Sequence, residues 1–484
     1  MYKDRVGSIE KEPVMQLPEI LHAISEKLKA NGAKAIVVGG SVRDHFLKLP
    51  IKDYDIEVYG LDNMELLEKI LSEFGSVNLV GKSFGVLKFV HEKEEYDFSF
   101  PRTESKVSQG HKGFEVQTDG KMDFKTAAKR RDFTINAMGY DIEEKAFLDL
   151  FNAQRDMELQ ILRHIDDDSF VEDPLRVYRA VQFCARFDYV LADETKVLCK
   201  DMIEKGMLEE LPKERVYGEL KKLLLKAEKP SLGFELMREL GVLQYFPELQ
   251  AIINVPQDPN WHPEGDVWVH TLMCVDAMAQ LCRSGCPHPD DQNEDKQKLK
   301  FMFAILCHDF GKAGTTAFDE EKGRLRAIGH EVAGVEPTKR FMYRLTSEHD
   351  FIETVLPLVE YHLMPSQFYK NGAKSKAIRR LATKVNIEEL VIVAKADFLG
   401  RTSKEALSGR YEAGEWLLEK AKNLKVKNKP LNNLLQGRDL IGLGLKPSPE
   451  FKIILDEVYE LQMDGDVNTK EEALAYVKNR INNE

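Results

Sequence analysis

Cysteine is scarce in this sequence: six residues, scattered, in a chain of 484. That excludes a disulfide-stapled framework and suits a reducing compartment. Long hydrophobic runs are missing as well. No apolar stretch reaches the ~18 residues of a membrane span, and the N-terminal MYKDRVGSIEKEP is too charged for a signal peptide. A soluble cytoplasmic protein with no membrane partner is expected. Positive charge is also in deficit, with 69 Lys and Arg against 81 Asp and Glu, a formal net charge of −12. A chain coated with nucleic acid is unexpected, yet local basic patches can still grip a phosphate backbone. Candidates are 125–131, KKLLLK at 221–226, KSKAIRR at 374–380 and KAKNLKVKNK at 420–429. Any one of them is more simply read as a solvated helix face.

What is present is ample core material. Hydrophobic residues make up 43%, and the length predicts about three or four domains. QLPEILHAISEKLKA (16–30) has helical periodicity that Asn31 and Gly32 stop. AKAIVV reads as a buried strand, DYDIEVYG as a second, and FGVLKFVH and YDFSF as two more. Between them DNMELLEKILSEFG is a helix with Asp62 as its N-cap. The segment 102–121 is polar, turn-rich and long, which predicts a functional loop. From 174 onward helical patterns dominate. SGCPHPDDQNEDKQ (284–297) reads as a loop, and its Cys286 and His288, with Cys282, lack a fourth zinc ligand. LKPSPE (445–450) sets off a last helical region, in which Asn468 and Thr469 cap KEEALAYV.

The densest stretch is VVGGSVRDHFLKLPIKDYDIEVYG, residues 37–60. Gly39 and Gly40 sit between a strand and a helix-like segment, where backbone N–H groups can approach phosphate oxygens and the helix start favours anions. Asp53 and Asp55 are two apart on a strand, so their side chains share a face. Two carboxylates that close call for a divalent cation, and Mg²⁺ with nucleotide phosphates suits them. In KRRDFTINAM (129–138), Arg130 and Arg131 can grip phosphates, while Asp132 and Asn136 can bond a sugar or orient the arginines. In EDPLRVYRA (172–180), Asp173 and Pro174 start a helix and Asp173 and Arg176 lie three apart. A carboxylate beside a guanidinium can pair with the amino and ring-nitrogen edge shared by cytosine and adenine.

The string GGSVRD…KDYDIEVYG resembles the nucleotidyltransferase superfamily of polymerase-β-like enzymes, within it the bacterial class of CCA-adding enzymes and poly(A) polymerases. KRRDFTINAM contains that class's RRDFTINAM motif letter for letter. The resemblance implies that Asp53 and Asp55 bind the catalytic metals. Gly39, Gly40 and Ser41 would hold the triphosphate, with Arg43 and Asp44 supporting nucleotide and loop. Arg130, Arg131, Asp132 and Asn136 would recognise ribose and phosphates. Asp173 and Arg176, with Arg179 nearby, would select CTP and ATP. Arg215 and Glu219 of KERVYGEL would support that helix, the loop 102–121 would help switch between C and A addition, and Asp97 is a further carboxylate candidate.

Residues 262–400 carry a second constellation: His270, His308, Asp309, His330, His362 and Asp397, each on or near an apolar helical stretch. Facing helices build metal sites from such groups. The order H…HDxGK…GHE…H…D resembles the HD phosphohydrolase family. It implies His270, His308, Asp309 and Asp397 as ligands of a divalent transition metal or Mg²⁺, with His330 and His362 as candidates for a second metal or phosphate. Lys312 could steady a phosphate.

The expectation is an α+β protein: a head with a mixed sheet over 1–150, a helical neck and body over 151–255, a helical HD domain over 256–405 and a helical tail over 406–484. It would add CCA to tRNA from CTP and ATP as a monomer or dimer. Poly(A) synthesis, CC-only or A-only addition, or chiefly phosphohydrolase activity are the alternatives.

Overall fold

Strand β1 (Lys34–Val38) is buried from Ala35 onward, as a continuous apolar run requires when both faces of a strand are covered. It pairs antiparallel with β2 (Tyr54–Tyr59). The sheet is completed by β3 (Ser76–Gly81), β4 (Val86–His91) and β5 (Glu94–Ser99). A polar pair, β6 (Arg102–Lys106) and β7 (Phe114–Thr118), stands apart as its own two-stranded sheet, and β8 (Gly139–Asp141) and β9 (Ala146–Leu148) close the far edge. The order is β3-β4-β5-β2-β1-β8-β9. Only β2 and β5 run parallel within it, so the sheet is mixed. Register places Val38 opposite Asp55 and Asp55 opposite Asp97. The end of β1, which leads into Gly39, thus lies level with both carboxylates.

The computed structural model describes residues 14–61, 63–81, 85–106, 114–285 and 293–483. They form two units, 1–220 with 239–241 and 221–238 with 242–484. In the first, helix Glu19–Ala30 buries Leu21, Ile24 and Leu28, an i, i+3, i+7 stripe. Helix Leu175–Phe187 buries most of its length, Val177, Tyr178, Val181 and Phe183 among them.

The second unit is built on helices. Val267–Arg283 packs on Glu294–Cys307 and Ile387–Leu399, around Trp268, Phe301 and Phe303. A hairpin, Thr316–Asp319 with Arg324–Ala327, interrupts the helices. Helices Gly437–Gly442, Glu450–Asp464 and Lys470–Asn483 contribute to a separate apolar cluster that includes Leu440, Ile454, Val458 and Val477.

Several expectations change. The loop at 102–121 contains the β6–β7 ladder; only 107–113 lie outside the described residues. Asn63, not Asp62, caps helix Met64–Ser72, accepting from the N–H groups of Glu65 and Leu66; Asp62 lies outside the described residues. Cys286 and His288 lie outside them too. The loop read over 284–297 gives way to helix from Glu294. Asp173 precedes the N-cap Pro174 and accepts from the Leu175 N–H at 3.1 Å. Thr469 does cap its helix, accepting from the Glu472 N–H at 3.2 Å.

Candidate active site and candidate metal centre

The glycine turn and the paired carboxylates meet at the ends of β1 and β2. Gly39 has φ +74°, and a Cβ there would stand 3.1 Å from Nη1 of Arg131 and 3.6 Å from Oδ2 of Asp55. The positive φ is what calls for glycine; a side chain there would also press on the Arg131 guanidinium. Asp53 sits one residue before β2, and Asp55 is within it. Asp55 keeps an exposed edge, but the atoms packed round its carboxyl withdraw it from water and raise its pKa; Arg131 opposes this, while Asp97, Asp53 and Glu57 add to it. Asp97 has a buried oxygen without a hydrogen-bond partner among the described residues. Crowded, oxygen-only and negative, this is a donor set that fits Mg²⁺.

Arg131 is held by Glu57, which is 2% exposed and accepts from Nη2 of Arg131 at 2.9 Å, Nη2 of Arg130 at 3.2 Å and the Tyr59 hydroxyl at 2.6 Å. Burial alone would raise the Glu57 carboxyl; Arg131, Tyr59 and Arg130 bring it below its ordinary value. Ser41 is buried, and its hydroxyl donates to the Val38 carbonyl at 3.2 Å.

A polar chain then runs from the turn to the helical part of the same unit. Arg43 donates to Asp44 at 2.6 and 2.8 Å and to the side-chain amide oxygen Oδ1 of Asn136 at 2.6 Å. Asn136 donates to Asp132 at 2.9 Å, and Asp132 accepts from Nε of Arg179 at 2.6 Å. Arg43 also stacks over Phe183 and Phe187, with its guanidinium carbon 5.5 and 5.0 Å from the ring centres. The partner of Asp173 is Arg215 at 3.0 Å. Arg176 donates to the backbone carbonyls of Ser169 and Arg130, and Glu219 lies 3.9 Å from Arg179. The nucleotide candidates thus fall into three bonded groups: Arg43, Asn136, Asp132 and Arg179 in one, Arg131, Glu57, Arg130 and Arg176 in a second, and Asp173 with Arg215 in a third.

In the second unit the histidines share a device. His308, His330 and His362 each direct Nδ1 at the carbonyl three residues back, Ile305, Ala327 and Val359, at 2.6–2.7 Å. His270 directs Nδ1 at Glu264 at 2.8 Å. A proton held on Nδ1 leaves Nε2 as the nitrogen that can ligate a metal when the second proton is displaced. Those Nε2 atoms converge on two aspartates: His270 lies 3.0 Å from Asp397 and 3.8 Å from Asp309, His308 3.2 Å from Asp309, and His330 3.3 Å from Asp309. The His362 ring packs between those of His308 and His330, at 5.2 and 5.4 Å. Oδ1 of Asp309 and Nε2 of His308 and His330 are buried without a hydrogen-bond partner among the described residues. Such orphans fit an imidazole-rich divalent site.

Electrostatics agrees. Burial disfavours the charged forms of Asp309 and Asp397, yet His308 and Lys312 hold the first, and Arg401 and His270 the second, well below the carboxylate range. Burial and the neighbouring His308 and His330 bring His362 down to about 3, so it is neutral near pH 7. Lys312, 8% exposed, bonds Asp309 and Gln257 at 2.7 Å each.

Comparison with known proteins assigns the architecture. The poly(A) polymerase head domain family matches residues 35–163, the polymerase A RNA- and SrmB-binding region matches 188–253, and the HD domain matches 267–401. The multifunctional CCA protein of Pseudoalteromonas atlantica is 34% identical over 380 residues, 76% of this chain and 86% of that protein. The chain belongs to the multifunctional CCA protein family. Among solved structures, the Bacillus stearothermophilus CCA-adding enzyme in complex with CTP shares the fold at 20% identity, TM-score 0.64, over 96% of this chain and 98% of its own. The Thermotoga maritima CCA-adding enzyme complexed with tRNA matches at 20% identity, TM-score 0.57, over 96% and 95%.

For this family member the sequence motifs located both clusters. They missed Glu57, although the alternation Asp53, Asp55, Glu57 was visible. They also missed Glu264, His262, Arg401 and Cys274, whose Sγ lies 3.4 Å from Nε2 of His270. Glu264 and His262 precede the first metal-site helix in a segment without periodicity. Among the basic runs, 374–380 is occupied internally: Lys376 pairs with Asp464 and Arg380 with Glu460, each at 2.6 Å. Among the described residues no helix is long and apolar enough to cross a membrane.

Proposed function

We propose that this chain is a cytoplasmic CCA-adding tRNA nucleotidyltransferase with an appended phosphohydrolase domain, organised as head, neck and body, HD domain and tail. One observation carries the first part. Gly39, Asp55 and Arg131 meet at the head of the sheet, and Glu57 and Arg130 tie that point to Arg176 on the helix that also bears Arg179 and starts just after Asp173.

Asp53 and Asp55 would hold Mg²⁺, which when bound neutralises triphosphate charge and acidifies the attacking hydroxyl. The chain's own groups do the rest. The Gly39 turn leaves room for phosphate oxygens beside Arg131, and Glu57 aims that guanidinium. Asp132 and Asn136 fix Arg179 and Arg43. Asp173 and Arg176 present acceptor and donor to the edge of cytosine or adenine. The primer 3′-oxygen forms the new bond to the α-phosphorus of CTP or ATP, its proton departs, and the bond to pyrophosphate breaks.

At the second site, His270, His308, Asp309 and Asp397 would hold a divalent metal, with His330 and His362 beside them. The metal's chemistry would be activation of water. Lys312 and Arg401 fix Asp309 and Asp397 in place. The water oxygen bonds to phosphorus, the ester P–O bond breaks and the leaving oxygen takes a proton.

The test is incubation with a tRNA transcript lacking CCA, with labelled CTP and ATP. Two C and one A are expected in order. Asp53→Ala and Asp55→Ala should each lower incorporation about 100-fold or more without changing the circular dichroism spectrum. The head family's name favours one alternative, poly(A) synthesis; a long A tract, or arrest after CC, would reject the main reading.

A further inference from the structure

The five described cysteines, Cys184, Cys199, Cys274, Cys282 and Cys307, are all buried. A buried cysteine is ordinarily a small apolar filler. Cys274 keeps different company. It lies four residues after His270 on helix Val267–Arg283, so the two side chains share a face. Its Sγ is 3.4 Å from Nε2 and 3.8 Å from Nδ1 of His270, and 3.7 Å from the Asp397 backbone carbonyl oxygen. A Cβ on Gly400 would stand 2.3 Å from that sulfur. The glycine backbone thus closes one side of the thiol, and the imidazole lies on another.

More donors gather round it. One donor atom each from His270, Cys274, His308 and Asp397 all lie within 4.8 Å of one another, and all four residues are buried. No other cysteine among the described residues joins such a group. Nε2 of His308, on a side chain 1% exposed, is one of the orphaned atoms. An ion at this point would meet two nitrogens, one sulfur and one carboxylate oxygen. Zinc–sulfur and zinc–nitrogen bonds of about 2.3 and 2.0–2.1 Å at a tetrahedral angle set the two donors about 3.6 Å apart. The sulfur and Nε2 of His270 already stand 3.4 Å apart. The short distance to Nδ1 puts the sulfur beside the ring, so ligation turns the Cys274 side chain about its Cα–Cβ bond. Hard cations such as Mg²⁺ take oxygen ligands, whereas a thiolate favours softer ions.

We propose that Cys274 is a ligand of the candidate metal centre and makes it select a thiophilic divalent ion, such as Zn²⁺ or Cd²⁺, over Mg²⁺. The inference rests on the reading of the His–Asp cluster as a metal site. On binding, the S–H bond gives way to a sulfur–metal bond and the proton passes to water.

The experiment titrates Co²⁺, a spectroscopic stand-in for Zn²⁺, into the metal-free full chain. It follows the visible bands of the ion and the near-ultraviolet charge-transfer band of a cobalt–thiolate bond. The parent should show both. Visible bands alone overturn the ligand and leave the metal centre standing; no Co²⁺ retained in equilibrium dialysis overturns both. Cys274→Ser and Cys274→Ala should each bind Co²⁺ without the charge-transfer band, with unchanged circular dichroism. A band that persists belongs to another thiol and rejects the assignment. X-ray absorption of the Zn²⁺-loaded parent needs no variant: one sulfur at about 2.3 Å is expected, and a shell of nitrogen and oxygen only would sink the proposal. Selectivity is read by titrating Cd²⁺ and Mg²⁺ separately. Cys274→Ser should weaken Cd²⁺ more than about 100-fold, since outer partners alone account for about 10–100-fold, and should weaken Mg²⁺ far less. Equal losses for the two ions overturn the selectivity.

Discussion

Glu264 shows what a single side chain does at this candidate metal centre. It is 1% exposed at its side chain and holds Nδ1 of both His262 and His270, at 2.9 and 2.8 Å. Burial would raise its carboxyl, but His262 and His270 push it well below its ordinary value. It therefore stays ionised and holds the His270 ring with its Nε2 turned toward Asp397. Glu264→Gln weakens that orientation without emptying the space. Divalent-metal affinity should fall about 10–100-fold, read by calorimetric titration of Mn²⁺ into the metal-free chain, with secondary structure unchanged. His270, His308, Asp309 and Asp397 were legible because their order along the chain has meaning. Glu264 was not, because its role exists only where two segments meet. Glu57 lies between these cases. Its alternation with Asp55 was on view, but only folding brings Arg130 and Arg131 to it.

At the scale of elements, the helix Leu175–Phe187 and the turn around Asn136 are joined through Asp132. Burial works to raise the Asp132 carboxyl; Arg179 and Asn136 bring it below its ordinary value. A depressed native pKa contributes stability above the unfolded value, about 3.9, and that contribution is lost as pH falls through the native value. Asp132→Asn should therefore cost about 3 kcal/mol at pH 7. The gap to the parent should narrow below about pH 4, as followed by thermal melts from pH 7 to pH 3. Strands and helices with strong periodicity were readable: β1, β2, β4, β5 and the capped last helix. The short β8 and β9, and the polar β6–β7 pair, were not. Three-residue strands carry too little pattern, and β6 has few apolar residues to alternate. The turn after His308 is similar. A Cβ on Gly311 would stand 2.0 Å from the His330 carbonyl oxygen. The glycine is demanded by a close approach that no local pattern announces.

For the whole molecule, the two clusters of chemistry fall in different units, so their activities should separate. His308→Ala should abolish metal-dependent phosphohydrolysis and leave CCA addition within about 2-fold, and Asp55→Ala should do the reverse. Parallel assays of both activities on both variants check this; loss of both from either single change would show the sites to be coupled. The sequence by itself determined the class: a sheet-bearing head, a helical remainder, and two motif sets of unrelated chemistry. Motifs persist in order because phosphates and cations demand particular side chains at particular backbone positions. Tertiary structure alone decided which side chains face one another. It paired Asp173 with Arg215, set Glu57 beneath Arg131, and spent the basic run 374–380 on the carboxylates of a later helix. Those outcomes depend on distances between residues remote in the chain, and such distances are set by packing, which composition and spacing do not encode one segment at a time.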